Sequence, residues 1–276
     1  MFVLLAVGCS SDATSSPPPD ADSTTLESTT ASPRATLSAG DTYVALGSSI
    51  ASGFGISVQS TACGRSNRSY PNLIAARYGL ALTDVSCGAA SIPNVVDSPQ
   101  GENPPQIDAV TSDTKLVTVS VGGNDIGYNG TAVGCGDPAT VCTAPASLEE
   151  DLAATRAALP AMLDRIRSAA PDAIIVFVTY PREVPEGNCP ELGFDDEEAA
   201  LVGSMGARLE EVFVDIGRAE DLVFVDPYVE PGDHTGCAPA EQRWTAGNVA
   251  DDGFAYHPTA LGHRVMAEMI EGALGP

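Results

Sequence analysis

Five short, mostly apolar runs alternate along this chain with longer stretches of helical periodicity, and that alternation restricts the architecture more than any other feature. The runs are Thr42 to Leu46, Leu80 to Val85, Leu116 to Val121, Ala173 to Tyr180 and Leu222 to Val225. Their wealth of Val, Leu and Ile is what strands buried on both faces require. The helical patterns are Tyr70 to Tyr78, Ser147 to Ala169, Glu197 to Arg218 and Thr259 to Ala273. Strand and helix in alternation give a parallel sheet with helices on both faces, so the fold class is α/β, a three-layer α/β/α sandwich around a five-stranded parallel sheet. Ser147 and Glu150 have the spacing of a capping box in front of Leu152, Leu159 and Leu163. In the last helix Leu261, Val265 and Met269, spaced by four, are expected to bury one face.

At 276 residues and 43% hydrophobic content, the chain has enough apolar surface for one sizeable core. Its ends divide the organisation further. Met1 to Val7 is apolar and is followed by Gly8 and Cys9, so residues 1–9 read as an export signal ending in a lipobox, with Cys9 as the lipidated residue. That run is too short to span a bilayer, which takes about 20 residues. Residues 10–39, dominated by Ser, Thr, Pro, Asp and Ala, read as a disordered stalk, and residues 40–276 as the folded domain.

A formal charge of -24 excludes nucleic acid as a partner and disfavours anionic membrane surfaces, leaving a lipid anchor at Cys9 as the one route to a membrane. Of seven cysteines, setting Cys9 aside leaves six, an even number suited to an oxidising compartment. Counting does not fix their pairing; proximity in sequence suggests Cys63 with Cys87, Cys135 with Cys142 and Cys189 with Cys237. All six follow strand ends, which in a parallel sheet share one edge, so the bonds are expected to brace the rim of a site there. The stretches Asn129 to Ala146, Pro181 to Phe194 and Glu230 to Asp252 follow strands and read as long loops, functional or disordered. Three scattered histidines without ligand spacing point to no metal site, and no cofactor is called for.

Ligands of open parallel sheets bind at the carboxyl ends of the strands. After the first strand comes Gly47-Ser48-Ser49, a glycine turn carrying adjacent hydroxyls. After the second comes Ser86-Cys87-Gly88-Ala89-Ala90, whose small residues leave backbone N–H groups accessible. After the third comes Gly122-Gly123-Asn124-Asp125, a sharp turn with an amide at its mouth. Before the last helix comes Phe254-Ala255-Tyr256-His257-Pro258. Hydroxyl, backbone N–H, amide and imidazole at one edge are the groups acyl transfer needs: a nucleophile, a base and oxyanion donors. Taken singly, Ser49 could be a helix cap, Asn124 a turn residue, His263 a helix-face residue and His234 a loop residue. Trp244 and Tyr128 either line a substrate channel or pack.

With four blocks in order across Thr42 to Ala273, the sequence resembles the SGNH (GDSL-type) hydrolases, in particular the disulfide-containing secreted bacterial esterases and lipases. The resemblance implies a flavodoxin-like fold, with Ser49 as nucleophile, His257 as base, and the N–H groups of Ser49 and of Gly88 or Ala89, with the Asn124 side chain, as oxyanion donors. Three departures stand out. Ser48 replaces the usual Asp before the nucleophile, the usual glycine of the second block aligns with either Gly88 or Ala89, and Phe254 occupies the position of the usual Asp before the histidine. His257 is therefore expected to be oriented by the main-chain carbonyl of Phe254, with Asp252 or Asp251 as the alternative. The implied function is hydrolysis of carboxylic esters, acyl-ester small molecules or lipids, by an exported monomer, either lipid-anchored or secreted. Carbohydrate deacetylation or acyl transfer with the same dyad, and lipid or glycan binding by a disabled site, are the rival readings. A base at the ordinary His pKa of about 6.5 implies a rate that falls below neutrality.

Overall fold

The computed structural model describes residues 36–57, 59, 62–220, 222–229, 233–250 and 252–275. The leader, Cys9 and most of the stalk, like Asp251, lie outside these residues. Five parallel strands form a single sheet in the order β2-β1-β3-β4-β5. They are β1 (Thr42–Gly47), β2 (Ala81–Asp84), β3 (Thr114–Ser120), β4 (Ile174–Val178) and β5 (Val223–Val225). Every neighbouring pair runs parallel, with Val44 opposite Thr83 on one side of β1 and opposite Val117 on the other. The central strands are buried almost throughout, as continuous apolar sequence requires.

The helices are α1 (Ser49–Ser52), α2 (Tyr70–Tyr78), α3 (Ile92–Val96), α4 (Tyr128–Cys135), α5 (Leu148–Ala169), α6 (Asp196–Ala219) and α7 (Ala260–Leu274). In the two layers that flank the sheet, α2 packs with α7, and α5 with α6. The order of connection reverses between β1 and β3, which opens a crevice at their carboxyl ends.

Several local expectations need correction. The stretch after β3 is helical at its start, because α4 occupies Tyr128–Cys135. Helix α5 begins at the expected place, but the Ser147 hydroxyl donates to Asp151 Oδ2 at 2.7 Å instead of closing a capping box with Glu150. Its first turn carries Glu149, Glu150 and Asp151, which favour the positive end of the helix without a cap. In α7 the buried face is Gly262, His263, Met266, Ala267 and Ile270, with Leu261, Val265 and Met269 half-buried on its flank. Leu37 packs on the core, so the body reaches a few residues ahead of Gly40.

Disulfides join Cys63 to Cys87, Cys135 to Cys142 and Cys189 to Cys237. Each joins segments that follow strand ends; Cys135 itself closes α4.

Candidate active site

Ser49 opens the single turn of α1, entered directly from the end of β1. Gly47 is at φ +128, and a Cβ there would overlap the Ser120 carbonyl oxygen, so only glycine lets β1 and β3 approach this closely. One buried side chain fixes its peptide groups: Gly47 N–H donates to Gln106 Oε1 at 2.7 Å, and Gln106 Nε2 donates to the Gly47 carbonyl at 3.0 Å. Ser48 N–H donates to the Ser120 carbonyl at 2.9 Å. Among the described residues the Ser49 N–H has no intramolecular acceptor, as expected for the first residue of a helix.

His257 Nε2 lies 2.9 Å from Ser49 Oγ, and its Nδ1 lies 2.8 Å from the Ala255 carbonyl oxygen. A carbonyl only accepts, so Nδ1 carries the proton and Nε2 presents its lone pair to the serine hydroxyl. This corrects the expected partner: the Phe254 carbonyl instead accepts the His257 backbone N–H at 3.1 Å. The reason is the backbone between them, since Tyr256 sits at φ 57, a left-handed conformation that turns Ala255 C=O toward the ring. Buried packing holds Tyr256 there, with its hydroxyl donating to the Leu192 carbonyl at 2.7 Å and its ring stacked on Phe194. Asp252 is committed elsewhere, accepting from Ser57 N–H at 2.5 Å, Ser57 Oγ at 3.0 Å and Arg68 Nη1 at 2.8 Å. It anchors the histidine loop to the chain beyond α1 and does not orient the imidazole. The rings of Phe254 and Phe54 stand 5.1 and 6.3 Å from that of His257. This burial pulls the imidazole pKa down to about 4, opposed only by the Ala255 hydrogen bond.

In the second block the N–H left open is that of Ala89. Gly88 N–H is spent on the Cys63 carbonyl at 2.9 Å, and the Gly88 carbonyl accepts from Gln100 Nε2 at 2.7 Å, so Gly88 is not a free donor. Ala89 is at φ 63, where glycine is the easy occupant, and among the described residues its N–H has no intramolecular acceptor. Asn124 Nδ2 donates one hydrogen to the Ala90 carbonyl at 2.8 Å, which fixes the amide and leaves its second N–H. Asp125 accepts from Ile92 N–H at 3.0 Å, joining the second and third blocks; its burial raises the carboxyl pKa to about 6. Ser49, Ala89, Asn124 and His257 share a cleft of about 360 Å³ whose walls include Phe54 and Phe254. A larger groove of about 490 Å³, between α6 and the loop after β4, contains none of these four.

A model of the GDSL-like lipase/acylhydrolase family matches residues 45–265 of this chain. The chain belongs to the GDSL-like lipase/acylhydrolase family. Among curated relatives of this GDSL-like chain, Lipase 2 of Streptomyces coelicolor is 31% identical over 252 residues, covering 84% of this chain and 85% of that protein. A lipase of Streptomyces rimosus is 30% identical over 231 residues, covering 80% and 81%. The crystal structure of an extracellular lipase from Streptomyces rimosus superposes with a TM-score of 0.66 at 27% identity, over 85% of this chain and all 100% of the other. A phospholipase A1 from Streptomyces albidoflavus, at 24% identity and a TM-score of 0.64 over 85% of this chain and 100% of its own, shares the fold. As a GDSL-like acylhydrolase, the protein is an ester hydrolase.

Other residues of this GDSL-like chain have structural roles. His263 lies on the buried face of α7, accepting Tyr70 N–H at Nδ1 (3.2 Å), and so pins the start of α2. His234 stacks on Trp244 with ring centroids 4.0 Å apart, and Tyr128 is buried in α4, so neither aromatic lines the cleft. The supports that motif reading missed are Gln106, Asp125, the Ala255 carbonyl and Tyr180. Asp125 lay within the third block without a role assigned, and Tyr180 carried a signal as the polar end of an apolar strand pattern.

Proposed function

We propose that Ser49 and His257 form a catalytic dyad that hydrolyses short- and medium-chain acyl esters through an acyl-enzyme, in an exported, monomeric protein. The observation that carries this reading is the 2.9 Å contact between His257 Nε2 and Ser49 Oγ at the mouth of an apolar cleft. In the first half-reaction Nε2 takes the hydroxyl proton as Oγ attacks the ester carbonyl carbon. The carbonyl oxygen gains the electron pair and meets the N–H groups of Ser49, Ala89 and Asn124. Collapse of that intermediate expels the alcohol, which takes the proton from Nε2. Water then repeats the sequence on the acyl-enzyme, with His257 again as base, and releases the acid.

A cleft of about 360 Å³ is at the small end of ligand sites. It holds a short or medium acyl chain, and a longer one would run out past Val133 and Phe254, both exposed at its edge. The site is assembled from one chain, consistent with a monomer. Export rests on the three disulfides and the apolar start of the sequence, and lipidation at Cys9 on the Gly8-Cys9 junction. Residues 1–9 are thus proposed as signal, 10–39 as stalk and 40–276 as the hydrolase domain.

The test is turnover of p-nitrophenyl esters from acetyl to palmitoyl by the full chain and by its Ser49→Ala and His257→Ala variants. Turnover should peak at short or medium acyl length and fall about 10⁴-fold in either variant. Equal turnover in Ser49→Ala would overturn the dyad, and hydrolysis confined to acetylated glycans would favour the deacetylase reading. Labelling of Ser49 by a serine-directed phosphonate separates an enzyme from a disabled binding site.

A further inference from the structure

We propose that Tyr180 is a positioning residue for this reaction, locking the nucleophile turn and the oxyanion turn to each other through one buried phenol. The proposal rests on the dyad reading above. Tyr180 follows the end of β4, and its hydroxyl oxygen accepts the Gly123 N–H at 3.0 Å. The same oxygen lies 3.3 Å from Ser48 Oγ. Gly123 precedes the oxyanion donor Asn124 at the end of β3, and Ser48 precedes the nucleophile at the end of β1. A single side chain thus joins the ends of three adjacent strands.

Three further features fit that role. Gly123 is held against the Tyr180 ring: a Cβ at this position would stand 2.5 Å from Tyr180 Cε2, so glycine here is what lets the phenol come this close. The ring is fixed from behind by Phe213, with centroids 5.5 Å apart, and the residue is 3% exposed. Burial pushes the phenol pKa well above its ordinary value, so the hydroxyl stays protonated and can accept from Gly123 while donating to Ser48. With serine at position 48, no carboxylate is present there to hold the turn, and the phenol supplies that contact.

Tyr180→Phe keeps the ring and removes only the link. Steady-state hydrolysis of a short p-nitrophenyl ester is compared for the wild type, Ser49→Ala, Tyr180→Phe, Ser48→Ala and the Ser48→Ala/Tyr180→Phe double variant, with Tm and phosphonate labelling rate for each. Tyr180→Phe should lower kcat about 10- to 100-fold with KM within about twofold, because misplaced donors act on the transition state. Phosphonate labelling should slow in parallel, and the double variant should be little slower than Tyr180→Phe alone, since the Ser48 contact is already lost with the phenol hydroxyl. A Tyr180→Phe variant with wild-type kcat and labelling rate, whatever its Tm, overturns the proposal; so does a loss confined to KM. A wild type that neither turns over ester nor labels at Ser49 overturns the dyad reading itself, a result distinct from either.

Discussion

His257 faces a main-chain carbonyl where a carboxylate commonly stands, and this changes when the base is available. A nearby anion would hold the imidazole pKa up, whereas burial beside Phe54 and Phe254 lowers it to about 4. In the proposed dyad the base works as the neutral ring, so a lower pKa extends activity to the acid side. The acid limb of kcat/KM should therefore fall with a midpoint near 4, not near neutrality as an unperturbed histidine implies. A midpoint near 6.5 would mean that solvent reaches the ring. Residues of this kind differ in how far sequence exposes them. Ser49, Asn124 and His257 are legible because their chemistry resides in side chains set in short contiguous motifs. The choices between Phe254 and Ala255, and between Gly88 and Ala89, are not. They depend on positive φ at Tyr256 and Ala89, conformations that non-glycine residues rarely take and that no propensity announces.

At the level of elements, apolar patterning was sufficient for the long helices and for all five strands, and failed where packing used other residues. Helix α7 turns Gly262 and His263 inward because Gly262 lies against the Trp244 carbonyl and His263 accepts the Tyr70 N–H, so apolar spacing alone points to the flank of the buried face and not to its centre. Helices α1 and α3 are too short to show a period, and α4 contains two glycines. Caps show the same division. Asp195 accepts from the N–H groups of Glu197 and Glu198 and is answered by the Glu198 side chain, whereas Ser147 makes no such bond. Asp195→Ala should cost about 1 kcal/mol in urea unfolding, and Ser147→Ala only a few tenths. Equal losses would show that Ser147 caps α5 in solution.

For the whole molecule, burial has left several carboxyl groups holding protons that the unfolded chain releases. Glu210 is pushed up to about 9, by burial first and then by the Asp226 charge, and buried Glu183 is raised well above its ordinary value of 4.5. Between their unfolded and folded pKa values the native state binds more protons, so stability falls as pH rises. The two buried histidines oppose this only below about 6.5, where the unfolded chain gains protons they refuse. The net charge of -24 adds self-repulsion as more groups ionise. Tm should therefore decline from pH 6.5 to 9, and a flat profile would mean that Glu210 is already ionised in the fold. The disulfide at the second block has a different reach. Cys63 is bonded to Cys87, and its carbonyl accepts the N–H of Gly88, the neighbour of the proposed donor Ala89, so the bond braces the proposed oxyanion hole. Protein kept reduced should fold yet turn over ester at least about tenfold more slowly, regaining its rate on oxidation. If export is as proposed, that dependence would hold back ester hydrolysis until the chain reaches an oxidising compartment.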